Sequence, residues 1–148
     1  MKPSIGLIRA RYTYNPDTGE LVNNGYYCRG RITKIQGIHY PTASIIWAHY
    51  YGEWPDTLID HIDGYHQHNW ISNLRKATTR QNSYNAFKYN PNGARGVYDC
   101  GRKSKPWQAQ IRIDGKKVNL GRFKTKEEAA EAYKQAATEH HGEFAYHD

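Results

Sequence analysis

Four side chains in the middle of the sequence are of the types needed to hydrolyse a phosphodiester bond. They belong to the segment IDHIDGYHQHNWISNLRKATTRQNSYN and are Asp60, His61, Asn73 and Asn82. Such a hydrolysis requires a base that deprotonates water. It also requires a cation that stabilises the charge developing on the phosphate and on the leaving oxygen. The segment therefore indicates hydrolytic chemistry on a phosphate ester.

The four side chains can divide these two tasks between them. His61 suits the base, because an unperturbed imidazole changes its charge near neutral pH. Asp60 offers a carboxylate and Asn82 an amide oxygen, and Mg²⁺ typically uses only one or two protein ligands besides phosphate and water. Asn73 lies between them in the sequence and can fasten the intervening loop.

Other polar side chains of the segment have ordinary structural interpretations. His66 and His68 are interpreted as solvated loop histidines, and Asp63 as a residue that shapes the turn. A structural zinc site takes four nitrogen or sulfur ligands, and Cys28 and Cys100 are not suitably placed in the sequence to supply them. The segment thus favours an oxygen-ligated cation over zinc.

The elements that must position these groups are a strand, a loop, a second strand and a helix. The first three have the sequences LIDHI, GYHQHN and WISNL. A helix is predicted from about Ala77 to Ala86, with Thr78 or Thr79 as its N-cap.

This order of residues resembles a known family. The pattern D-H-I-D-G, then N-L-R, then A-T-x-x-Q-N-x-x-N is similar to the HNH endonucleases, also called ββα-metal nucleases. It is most similar to the homing-type members carried by phages and introns. The resemblance covers roughly residues 5–86 and departs at Ser44, where many relatives carry a histidine.

The resemblance implies a role for each of the four residues. It makes His61 the general base and Asn73 the brace of the active loop. It makes Asp60 and Asn82 the ligands of one divalent metal ion, with magnesium expected and manganese as the alternative. The implied substrate is double-stranded DNA.

Basic side chains flank this constellation. Arg75, Lys76 and Arg80 are expected to contact phosphates, and Arg80 is a candidate for neutralising the phosphate at the cut. A solvated helix face is the alternative interpretation, above all for Lys76.

The first third of the chain is predicted to be a small sheet with one helix. The predicted ranges are strands at 5–14 and 26–35 and turns at 16–19 and 36–41. Apolar residues then recur near helical spacing over 42–52, and Gly52 marks the end of that helix.

The last third predicts a three-stranded antiparallel sheet packed on one helix. GVYDC, PWQAQIRID and KKVNLGRF are the strands, and Asp114-Gly115 is a hairpin signal between the last two. Thr125 and Glu128 predict a capping box at the start of the helix. One helical face is predicted to hold Ala129, Ala130, Tyr133, Ala136, Ala137 and His140.

This part resembles the DNA-binding domain of plant ethylene-response factors, the Apetala type. The matching pieces are R-G-V, W-x-A-x-I-R, V-x-L-G-x-F and E-E-A-A-x-A-Y. Such domains also occur fused to HNH nucleases, and in that family the sheet lies in the major groove. By position, the implied DNA contacts are Arg95, Tyr98, Trp107, Gln110, Arg112, Lys117 and Asn119.

The distribution of charge also indicates a DNA-binding sheet, independently of the family resemblance. Residues 94–126 carry ten Lys and Arg against two Asp, whereas residues 127–148 carry one Lys against six Asp and Glu. The positive charge therefore belongs to the strands, where phosphates would lie. Gln110 stands where the family usually has an acid and Asn119 where it usually has Trp, so the plant sequence preference does not transfer. Trp107 fits a core position as well as a contact.

The bulk composition agrees with a nucleic-acid partner. The formal net charge is +7 at a sequence pI near 9.4. There is neither an N-terminal signal sequence nor a run of 18 apolar residues, so no membrane is expected. The two cysteines are expected to be free thiols in a reducing compartment, the cytoplasm of a bacterial host if the chain is phage-encoded.

The sequence thus predicts an α+β protein of two modules. A small sheet and helix lead into a ββα-metal motif in a nuclease domain at 1–87. A linker at 88–92 follows, and then a DNA-binding domain at 93–148. The oligomeric state is left open between monomer and homodimer. The rival functions are a non-catalytic DNA-binding regulator and an RNA-binding protein whose tyrosines stack on bases.

Overall fold

The structure, a computed structural model, describes residues 1–86, 90–91 and 93–145. The chain forms two compact units, Met1–Ser83 and Tyr84–Asp148, and each is described by itself. The predicted linker at 88–92 falls largely on residues 88, 89 and 92, which lie outside the described residues.

The chain begins with a helix, which corrects the prediction of a strand over 5–14. Helix α1 spans Ile5–Arg11, and only Tyr12–Tyr14 form strand β1. The side chain of Ser4 caps α1 by accepting from the Leu7 N–H at 3.2 Å. Ile8 lies on the inner face of α1 and is fully buried. Its burial explains why a mixed apolar and basic stretch is helical here.

Short antiparallel strands follow. Strand β1 pairs with β2, Leu21–Asn23, which pairs with β3, Tyr26–Tyr27. Strands β4, Ile32–Ile35, and β5, Ile38–Pro41, form a hairpin.

This arrangement corrects two predicted ranges. The strand predicted over 26–35 is broken into β3 and β4, and most of the turn predicted over 36–41 is strand β5. The turn itself needs only Gln36 and Gly37. Both have positive φ values, 49° and 85°, as the tightest hairpin turns require.

Helix α2, Thr42–Tyr51, confirms the predicted helix. Gly52 ends it in a left-handed conformation (φ 77°), and its N–H donates to the Ala48 carbonyl at 3.0 Å. Ile45, Ile46 and Ala48 are fully buried and pack in the core that α1 and the first strands also line. This core supports the hairpin that carries the predicted catalytic residues.

That hairpin consists of β6, Leu58–His61, and β7, Leu74–Ala77. The predicted second strand, WISNL, is wrong and overlaps the observed strand only at Leu74, since Ile71–Asn73 form a 3₁₀ turn and β7 begins at Leu74. Helix α3, Thr79–Asn85, confirms the predicted helix. Thr78 and Gln81 cap its start reciprocally, with 2.8 and 3.2 Å between backbone nitrogen and side-chain oxygen.

The second unit has the predicted sheet and helix. Strands β8, Val97–Asp99, β9, Trp107–Ile113, and β10, Lys116–Phe123, are antiparallel in the order β10-β9-β8. Asp114 and Gly115 make the hairpin turn with φ values of 48° and 80°.

Helix α4, Lys126–His141, begins with the predicted capping box of Thr125 and Glu128. On its inner face the buried histidine is His141, not His140 as predicted. The Nε2 of His141 lies 3.0 Å from the Arg112 carbonyl, which makes it the donor.

The described residues include no helix long and apolar enough to cross a membrane.

Candidate active site

The β6–β7 hairpin brings Asp60 and His61 to the point where a strand turns into a loop. Asp60 lies opposite Arg75 and His61 opposite Leu74 in the antiparallel register. Asp60 is 4% exposed, whereas His61 is half-buried. Neighbours in a strand project to opposite faces. The two side chains therefore have different surroundings although they are adjacent in sequence.

Arg75 is the cationic partner of Asp60. Its Nε and Nη2 lie 2.9 and 2.8 Å from Oδ2 of Asp60, and both side chains are largely buried. The register directs its guanidinium to the buried carboxylate, while a contact of Arg75 with DNA phosphate stays a prediction. A cross-strand ion pair of this kind stabilises the hairpin and keeps the Asp60 carboxylate in a defined position.

The imidazole of His61 is oriented by an amide that the sequence did not single out. Its Nε2 lies 2.9 Å from Oδ1 of Asn69. An amide oxygen only accepts, so Nε2 carries the proton, and the basic lone pair of the neutral ring is then on Nδ1. Asn69 thus sets which nitrogen of His61 can take a proton.

Asn69 is itself held in place. It is 6% exposed, and its carbonyl accepts from the Tyr14 hydroxyl at 2.7 Å. Burial, followed by the neighbouring Tyr50 and Tyr51 hydroxyls and Asp17, raises the pKa of Tyr14, which keeps its hydroxyl protonated as the donor. Strand β1 is thereby connected to the loop beside His61.

Asn73 contacts both ends of the loop between β6 and β7. Its Nδ2 donates to Oδ1 of Asp63 at 3.0 Å and to the His68 carbonyl at 2.8 Å. Its Oδ1 accepts from the Asp63 N–H at 3.2 Å, and its carbonyl accepts from the Ile62 N–H at 2.9 Å. With 6% of its surface exposed, Asn73 closes the loop from within.

Asp63 and His68 form a second polar pair in this loop. Oδ2 of Asp63 lies 2.5 Å from Nδ1 of His68, and the His68 ring stacks on Trp70 at 4.6 Å between centroids. Partial burial raises the pKa of Asp63, but the hydrogen bonds from Asn73, His68 and the Tyr65 N–H together lower it. These contacts agree with a turn-shaping role for Asp63. His68 is packed against Trp70 and paired with Asp63, whereas a solvated loop histidine was predicted.

The remaining two predicted site residues are on α3. Asn82 lies in its first turn, where its N–H donates to the Thr78 carbonyl at 2.9 Å, and its side chain is half-buried. Arg80 is exposed on the same helix.

The donor set agrees with a hard divalent cation better than with zinc. Asp60 and Asn82 offer a carboxylate and an amide oxygen, which Mg²⁺ accepts together with phosphate and water oxygens. Within the described part of the chain, no three His, Cys, Asp or Glu side chains cluster as metal ligands.

In the second unit, the outer face of the sheet is polar. The register pairs Arg112 with Lys117 and Gln110 with Asn119, and Tyr98 lies opposite Gln108. The other face, with Ala109 and Ile111, is buried against α4. Leu120 is an extra residue in β10 between the pairs of Asn119 and Gly121, so the strand bulges there.

Two of the predicted DNA contacts do not belong to this outer face. Trp107 packs against the cluster of Ala109 and Ala129, which supports its alternative interpretation as a core residue. Nη1 of Arg95 donates to the Tyr84 carbonyl at 2.7 Å. Five of the seven predicted contacts remain on the outer face: Tyr98, Gln110, Arg112, Lys117 and Asn119.

Comparison with known proteins gives the family context of the first unit. Residues 42–84 match the HNH endonuclease family. This HNH segment includes α2, the β6–β7 hairpin and most of α3, and with them Asp60, His61, Asn73 and Asn82. The HNH match ends before the sheet of the second unit, whose resemblance to the ethylene-response-factor domain stays a prediction.

A curated relative supports the same assignment. The chain is 36% identical over 90 residues to an uncharacterized HNH endonuclease of Acanthamoeba polyphaga mimivirus. The match covers 61% of this chain and 46% of the relative, so the chain spans less than half of that protein's length. No solved structure matches the chain significantly.

Sequence reasoning missed Asn69 and the partner of Asp60. The burial of Asn69 and its contact with His61 are seen only in the structure, so the sequence offered no local signal for it. To predict Arg75 as the partner of Asp60, the exact register of β6 and β7 would have been needed. That register depends on the length and closure of the loop between them.

Proposed function

We propose that the protein is a metal-dependent HNH endonuclease that hydrolyses phosphodiester bonds in duplex DNA. The observation that carries this proposal is the hydrogen bond between His61 and Asn69 inside the HNH segment. It orients a half-buried imidazole and sets which of its ring nitrogens is basic, on the strand that also carries the buried Asp60.

His61 acts as the general base in this proposal. Its Nδ1 takes the proton from the attacking water, and the resulting imidazolium is stabilised by Nε2–H donation to Asn69. Asn73 holds the loop that carries Asn69, so the orientation of His61 depends on both amides. The histidine is thus placed by the fold before the substrate arrives.

Asp60 and Asn82 would hold the divalent ion, magnesium in the first instance. When bound, it would supply the positive charge that stabilises the phosphate and the leaving oxygen. Arg75 serves this site by fixing Asp60 and balancing its charge. Arg80, exposed on α3, is proposed to pair with a phosphate of the substrate.

The second unit is proposed to select the cleavage site. The outer face of its sheet carries side chains that suit base edges and phosphates, and residues 94–126 have ten Lys and Arg against two Asp. Arg and Gln side chains can read guanine and adenine in the major groove.

Substitutions on this face are expected to separate base reading from phosphate contact. Arg112→Ala should relax specificity at one base pair by about 1–3 kcal/mol, because a bidentate contact to a base edge is lost. Lys117→Ala should weaken all sites alike and lower the salt dependence by about one phosphate. Binding to a panel of single-base variants over a salt series measures both. Identical profiles for the two variants would contradict this division.

The proposed function is tested by offering the protein two nucleic acids. Labelled duplex DNA is incubated with the protein and Mg²⁺, with unlabelled duplex DNA or single-stranded RNA as competitor. The proposal expects cleavage of the duplex and strong competition from DNA alone. Binding without cleavage would favour a regulator, and stronger competition by RNA would favour an RNA-binding protein.

A further inference from the structure

Arg31 lies against the loop that follows β6, the strand that carries Asp60 and His61. Its Nη2 lies 3.2 Å from Nδ1 of His66. A guanidinium only donates, so Nδ1 accepts, and the neutral His66 ring carries its proton on Nε2. Partial burial, then the charges of Arg31 and His61, lower the pKa of His66 and favour this neutral form. The pair thus offers only N–H donors to a ligand.

Arg29, two residues before Arg31 in the sequence, borders the same loop between β6 and β7. It lines a cleft together with Gln67 and Asn69, and Asn69 is the residue that orients His61. Its guanidinium lies over the Tyr27 ring at 4.9 Å from the centroid, which limits its freedom. The cleft therefore leads from an exposed arginine to the partner of the proposed base.

The backbone that carries Arg31 is fixed. Its carbonyl accepts from the Thr42 N–H at 2.9 Å, and the Gly30 carbonyl accepts from the Thr42 hydroxyl at 2.7 Å. Thr42 is 1% exposed at the start of α2. A side chain that starts from a rigid backbone yet remains exposed is suited to a ligand outside the protein.

In the described part of the chain, no acid forms an ion pair with Arg29 or Arg31. The ion pairs of Asp56, Asp60, Asp63 and Glu53 include neither arginine. Glu20 lines the cleft with Arg29, but its carboxylate accepts from the Thr18 hydroxyl at 3.2 Å. Arg31 beside the neutral imidazole of His66, together with Arg29 on the cleft that reaches Asn69, forms a site for anionic oxygens.

We propose that Arg29, Arg31 and His66 bind the sugar–phosphate backbone of duplex DNA beside the phosphate that His61 serves. This site rests on the proposed function and deepens it. Guanidinium groups match phosphate oxygens in geometry and charge, and the Nε2–H of His66 adds a neutral donor. The three groups hold the DNA strand in register with the loop between β6 and β7.

The test is duplex binding by the full chain over a salt series, with chelator present so that no DNA is cut. Arg29→Ala and Arg31→Ala should each weaken binding several-fold and lower the salt slope by about one, and the double substitution by about two. Arg31→Lys keeps the charge and should retain the wild-type slope. Lys34→Ala is the charge-matched control, since this exposed lysine of β4 has no described contact with the loop.

The outcomes separate this site from the proposed function. A double variant that binds like the wild type overturns the site and leaves the nuclease proposal standing. An equal loss in Lys34→Ala also overturns it, because attraction would then follow net charge alone. A wild type that neither binds nor cuts duplex DNA overturns both.

Discussion

Replacement of His61 by alanine is expected to slow cleavage of duplex DNA by at least about a hundredfold. General-base catalysis typically contributes 10²–10⁴ in rate, and His61 is the group proposed to take the proton from water. Affinity for DNA should barely change, because His61 acts on water. Single-turnover cleavage and mobility-shift binding measure the two quantities separately.

His39 offers the matched control, since it is an exposed histidine on β5. His39→Ala should cut DNA at the wild-type rate. A His61→Ala variant that cuts as fast as the wild type would show that another group is the base.

Replacement of Arg75 by alanine is expected to lower the free energy of unfolding by about 3–5 kcal/mol. The change removes the cationic partner of a carboxylate that is only 5% exposed, and breaking a buried pair from one side costs this much. Denaturant unfolding followed by circular dichroism measures the difference, and the slope of the transition should stay constant.

The neighbouring Lys76 provides the comparison on the same strand. It pairs with Asp56 at 2.9 Å, but both side chains are exposed. Lys76→Ala should therefore change stability little, because water and salt already screen that pair. If Arg75→Ala were as mild as Lys76→Ala, the Asp60–Arg75 pair would not be holding the hairpin.

The sequence predicts best where local chemistry decides the structure. Asp114-Gly115 needs positive φ values at both positions, and Thr125 with Glu128 satisfies the first N–H groups of α4, so both features follow from a few neighbouring residues. The placement of Gly52 after α2 is of the same kind.

Prediction fails where distant residues decide. Ile5–Arg11 is helical because Ile8 is buried against a core formed by later segments, which no local pattern reveals. Arg75 reaches Asp60 only in one strand register. The contact of Asn69 with His61 depends on a loop that Asn73 and Tyr14 hold through hydrogen bonds from two sides.

The most direct test of the account is chelation of divalent metal during cleavage of supercoiled plasmid DNA. The wild-type protein is incubated with Mg²⁺, with Mg²⁺ and excess chelator, and with chelator followed by excess Mg²⁺. The account predicts cutting in the first and third reactions and none in the second, because Asp60 and Asn82 would then lack the ion that their oxygens are proposed to hold. Equal cutting in all three reactions, or in none, would contradict it.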